Sequence, residues 1–79
     1  MSEADKKFNK KMRQRIELNE RQIETIETDI EVAEKMKELA EELDNLEGQK
    51  FERRRIVNYE KQIADLKKEN ETYKDKIVE

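Results

Sequence analysis

With 79 residues, 49% of them charged and 33% hydrophobic, the chain is one domain at most and has too little apolar material for a layered globular core. It has no Cys and no His, which excludes disulfides, thiolate chemistry and the commonest general base and metal ligand. No apolar run exceeds two residues, which excludes a membrane-spanning helix and a signal-peptide core and points to a cytoplasmic protein.

Residues 1–15 carry six basic groups (Lys6, Lys7, Lys10, Lys11, Arg13 and Arg15) against Glu3 and Asp5, a net charge of +4. Ser2 with Asp5 three residues on has the spacing of a capping box and marks a helix start. Phe8 and Met12 add apolar positions to this basic segment.

Residues 16–47 form an acidic first helix, with twelve acidic and three basic residues. Ile16, Ile23 and Ile30 fall at heptad position a and Ile26 and Ala33 at d, with Asn19 at the intervening d. The phase then slips by one residue, and Met36, Leu39, Leu43 and Leu46 continue the stripe. Gly48 is the only glycine and there is no proline. Together with Asp44 and Asn45 it marks a helix end and a turn at 48–50. Residues 51–79 form the second helix, with Ile56, Ile63, Asn70 and Ile77 at a and Tyr59, Leu66 and Tyr73 at d. Residues 48–79 carry a net charge of +2.

A single continuous helix would place Lys50 and Arg53, or Gln49 and Glu52, in the seam. A short connection instead makes the helices antiparallel neighbours. The expected fold is therefore all-α, an antiparallel two-helix coiled coil turning near Gly48. Facing residues would have numbers that total about 96: Leu39 with Val57, Ala33 with Ile63, Ile30 with Leu66, Ile26 with Asn70, Ile23 with Tyr73, and Asn19 with Ile77. On the flank, Glu20 would face Lys74, Glu27 Lys67 and Glu41 Arg53, with Glu34 against Glu60 a mismatch. Ile16 would lie opposite Glu79, so 1–15 would overhang. A two-helix pair this small buries little surface. Leu18, Val32, Met36 and Ala40 lie off the main seam and offer a second one, so the hairpin is expected to dimerise into a four-helix assembly.

Two surfaces carry functional expectations. The overhang Lys6, Lys7, Phe8, Lys10, Lys11, Met12, Arg13 and Arg15 combines an apolar anchor with cations that attract an acidic partner or phosphates. Its bland counterpart is a frayed, solubilising tail. Glu17, Glu20, Glu24, Glu27, Glu31, Glu34, Glu38 and Glu41 form an acidic stripe, which is either a solvated face or an imitation of a nucleic-acid backbone. Asn70 in the seam is a register-setting residue or a tolerated polar group. Arg53, Arg54 and Arg55 span most of a helix circumference and make no single site, and Tyr59 and Tyr73 fill seam layers.

Paired carboxylates on helix surfaces enclose no cleft, and glycine-rich phosphate loops and metal-ligand spacings are absent. No enzyme, cofactor or metal is expected. The expected function is a protein-binding module, an adaptor, scaffold or inhibitor acting through a charged helical surface. A nucleic-acid-related regulator is the alternative, either binding phosphates through the basic segment or mimicking nucleic acid with the glutamates. A continuous structural rod is the third reading. Small size without catalytic apparatus also fits a phage or mobile-element regulator.

Overall fold

A computed structural model describes all 79 residues, with two helices, α1 (Glu3–Glu42) and α2 (Leu46–Lys76), packed side by side and no strand. The hairpin measures 62 × 14 × 12 Å. The capping box at the start of α1 is present: the Asp5 amide donates to Ser2 Oγ at 3.1 Å and the Ser2 amide to Asp5 Oδ2 at 3.4 Å.

The turn falls at Leu43–Asn45, not at 48–50, so α1 ends and α2 begins five residues earlier than expected. Asp44 supplies the left-handed residue at φ 52°. The Asp44 amide donates to Glu41 O at 3.1 Å and the Asn45 amide to Ala40 O at 2.8 Å, the two bonds of a Schellman motif. Asn45 then caps α2, its Oδ1 accepting from the Gly48 amide at 3.0 Å. Gly48 is helical with negative φ. It is glycine for space: a Cβ there would meet Asn45 Nδ2 at 2.8 Å and the Ala40 Cβ at 3.2 Å.

The earlier turn changes the register. Asn19 faces Asn70, with Nδ2 to Oδ1 at 2.8 Å, and Gln49 Nε2 reaches Ala40 O at 3.5 Å. Facing numbers therefore total 89, one heptad short of the expected 96. A slide of seven residues returns every a and d position to the seam, so the apolar stripe tolerates either register. The polar residues do not. In the longer register Asn70 would face Ile26 and Asn19 would face Ile77, burying two amides against hydrocarbon. In the observed one they satisfy each other. Ile26 now lies level with Ile63, and Ile30 with Tyr59. Leu39 and Val57, expected to meet, are both exposed.

There is no phase slip in α1. Asn9, Asn19, Ile23, Ala33 and Ala40 are buried, and Met12, Ile16, Ile26, Ile30 and Lys37 are half-buried, which is one unbroken heptad stripe. Ala40 thus belongs to the main seam. Met36, Leu39, Leu43 and Leu46 are exposed. In α2, Gln49 and Glu52 do enter the seam at the turn end. Of the seven buried residues only Ile23, Ala33 and Ala40 are apolar, while Asn9, Asn19, Glu52 and Asn70 are polar. No buried side-chain nitrogen or oxygen lacks a partner.

Candidate interaction surfaces

The heptad frame divides the outside of the hairpin into two flanks. With Ile16 at a, positions b and e of α1 lie on one side of the seam and c and g on the other. The b/e flank holds all eight residues of the glutamate stripe, Glu17 to Glu41, and every one is exposed. Only Glu17 has an ion pair, with Arg21 at 2.6 Å within the helix. The expected interhelix pairs of Glu20, Glu27 and Glu41 do not form. All four ion pairs are intrahelical, and Lys74 is taken by Glu71 at 3.7 Å. In the observed register the flank places Glu20 level with Lys67, Glu27 with Glu60 and Glu34 with Arg53, and none of these forms an ion pair, which leaves the stripe unpaired across the seam. Glu20, Glu24, Lys67 and Lys74 still share one open groove, so the field there is mixed.

The c/g flank carries α1's off-seam apolar residues. Leu18, Val32 and Leu39 are at c, and Phe8, Met36 and Leu43 are at g; all are exposed. They concentrate at the turn end, where Met36, Leu39, Leu43 and Gly48 line an open groove. Phe51 at c of α2 adds a further exposed ring on this flank, with the Arg55 guanidinium 5.7 Å from its centroid.

The basic segment is placed differently from expectation. Asn9 is fully buried, donating from Nδ2 to Val78 O at 2.6 Å and accepting the Val78 amide at 2.8 Å on Oδ1. Intrachain packing thus reaches back to Asn9, and Met12 is half-buried in the seam. The expected overhang of 1–15 shrinks to the residues before Asn9. Phe8 remains exposed, as do Lys6, Lys7, Lys10, Lys11, Arg13 and Arg15. These cations occupy positions b, c, e, f and g, so they ring the helix instead of forming one face. Lys6 is paired with Glu3 at 3.4 Å; the other five have no ion pair.

Between these surfaces sits a polar network centred on the two asparagines. Asn19 Nδ2 also donates to Glu69 Oε1 at 3.2 Å, Tyr73 Oη donates to the same oxygen at 2.6 Å, and Asn70 Nδ2 reaches Ile16 O at 3.4 Å. Glu69's carboxyl is held below its ordinary value by the Tyr73 hydroxyl first, then the Asn19 amide and the Arg15 charge. The same bond pushes the Tyr73 hydroxyl up. These groups fasten the two helices and offer no nucleophile poised in a cleft.

Sequence reasoning missed Asn9, the exposed Leu39 and Leu43, and the seam role of Glu52. Continuing the Ile16 heptad backward by seven residues lands on Asn9, and continuing it forward to Lys37 and Ala40 leaves Leu39 and Leu43 outside. The chain matches no protein-family model, no curated protein and no solved structure.

Proposed function

We propose that this chain is a non-enzymatic protein-binding hairpin, an adaptor, scaffold or inhibitor that engages a basic protein surface through the α1 glutamates. The observation that carries this reading is the free row: eight exposed carboxylates on one flank, seven of them without an ion pair. A rigid two-helix rod holds such a row at fixed spacing. It therefore presents a charge pattern at little further ordering cost, which favours fast, specific association. The hairpin works as a dimer, because a seam with three buried apolar residues leaves eleven large hydrophobic side chains, half of those in the chain, in water.

The test is capture from host extract with the whole chain and with a variant carrying Glu24→Gln, Glu31→Gln and Glu38→Gln. A specific protein retained by the first and lost by the second, with a steep salt dependence, supports the reading. Equal retention by both removes the stripe as the binding surface.

A second reading rests on the basic segment, whose six cations are all exposed. Ringed around one helix end, they suit a phosphate backbone better than a flat protein face. Salt-dependent binding of a nucleic-acid duplex that is abolished by Lys10→Glu with Arg13→Glu, and untouched by the glutamine variant, would move the function there.

A further inference from the structure

We infer that a second copy of this chain docks on the turn-end c/g flank of α1, antiparallel, about a two-fold axis between Met36 and Leu39. This rests on the dimer reading above and names its surface and register.

The first support is the spacing. Val32, Met36, Leu39 and Leu43 are separated by four, three and four residues. That pattern reads the same in both directions. In an antiparallel pair of α1 helices it places Val32 of one copy level with Leu43 of the partner subunit, and Met36 level with Leu39 of the partner subunit. Spacing of four and three is also the spacing of a seam. A two-fold interface must be self-complementary, and these four positions are. No charged residue occupies c or g between 32 and 43.

The second support is charge. Lys35 and Glu42 border the patch at position f and have no ion pair in the hairpin. The same two-fold brings Lys35 of one copy within a turn of Glu42 of the partner subunit, and it does so twice. The glutamate row lies on the opposite flank, away from the interface.

The third support is area. A compact monomer of 9.6 kDa exposes ~5,100 Å². This chain exposes 6372 Å². The excess of ~1,300 Å² is spread along the 62 Å rod, but seven of its eleven exposed large hydrophobic side chains lie between residues 32 and 57, at the turn end. The four patch residues are between 45% and 69% exposed, and Phe51 at 58% widens the patch from α2. Leu18 and Phe8 share the flank, but Arg15, Gln22 and Asp29 separate them from the turn-end cluster.

Overlap at the turn ends gives a rod with the two basic ends pointing outward. At 1.5 Å per residue its length is roughly 100 Å, against 62 Å for one hairpin or for two lying fully side by side. Sedimentation equilibrium and small-angle scattering on the whole chain test this. The expected result is a dimer with a maximum dimension near 100 Å. Met36→Lys and Leu39→Lys should each give a monomer with helicity intact, since both sites are exposed, and Leu18→Lys should leave the dimer unchanged. Lys35→Glu should weaken dimerisation about tenfold, and adding Glu42→Lys should restore it to within about twofold. A monomeric wild-type chain would overturn the dimer reading and this surface together. A dimer that survives both lysine substitutions, or one no longer than a single hairpin, would overturn the surface alone.

Discussion

Asn19 and Asn70 meet across the seam, Nδ2 to Oδ1 at 2.8 Å, and both are buried. Each comes from a different helix, so the bond forms in one register only. The isoleucines around them are indifferent to a slide of seven residues. The asparagines therefore convert a degenerate apolar stripe into a defined pairing.

Replacing one partner and replacing both should have opposite consequences. Asn70→Leu removes the buried acceptor of the Asn19 amide, leaving it only the part-buried Glu69 carboxylate, and should lower unfolding free energy by about 1 kcal/mol in urea. Asn19→Leu combined with Asn70→Leu should recover that loss or exceed it, while broadening the amide spectrum as alternative registers become populated. A double variant as unstable as the single one would show that the pair contributes more than mutual satisfaction.

Asn9 fastens the far end. Its side-chain amide donates to Val78 O at 2.6 Å and accepts from the Val78 N–H at 2.8 Å, just after α2 ends. Asn9→Ala should cost about 1–2 kcal/mol and expose the Val78 amide to solvent exchange. Asn9→Asp keeps the acceptor and loses the donor, so it should protect Val78 partly. Unchanged exchange at Val78 in both variants would mean that the C-terminal residues are held by other contacts.

The turn inverts the usual roles of its residues. Asp44 holds the left-handed position that glycine favours, while Gly48 is helical. Asp44→Gly should stabilise the hairpin by about 0.5–1 kcal/mol, because the relief of left-handed strain outweighs the added freedom of the unfolded chain. Gly48→Ala should fail to give the usual helix gain of ~1 kcal/mol, since its Cβ would displace the Asn45 cap and press on Ala40. Thermal melts of the two variants decide the signs.

Stability should respond to pH through Glu69 and Tyr73. Glu69's folded value lies below 4.5, so its contribution is present above 4.5 and is lost as pH falls through the lowered value. Tyr73's lies above 10.0, so its contribution is present below 10.0 and is lost as pH rises through the raised value. Tyr73→Phe should remove the alkaline loss and move the Glu69 titration, followed by carbon-detected NMR, back toward 4.5. An unmoved Glu69 would show that Asn19 and Arg15 set its value without Tyr73.

Much of the fold was legible in the heptads. The positions Ile16 to Ala33 and Ile56 to Ile77 carried the helices and the antiparallel seam, and the spacing of Ser2 and Asp5 carried the capping box. The register was not legible from hydrophobicity, because seven-residue slides preserve it. Weight on Gly48 as a breaker chose the wrong slide, whereas pairing Asn19 with Asn70 would have chosen the right one. The off-seam patch was half legible: Leu18, Val32 and Met36 stood out, but Leu39 and Leu43 were absorbed into an assumed phase slip. The glutamate stripe was legible as a flank. Its lack of interhelix ion pairs was not, since the heptads set opposite charges level in both registers, here Glu20 with Lys67 and Glu34 with Arg53.

The register itself can be read directly, because the chain has no native cysteine. Ile26→Cys with Ile63→Cys places two thiols at the same level of the seam, and Ala33→Cys with Ile63→Cys separates them by seven residues, about 10 Å along the axis. Under mild oxidation the first pair should form an intrachain disulfide quickly and the second should not, with mass spectrometry confirming that the bond lies within one chain. Rapid closure of 33 to 63 with none of 26 to 63 would contradict the Asn19–Asn70 register and restore the longer one.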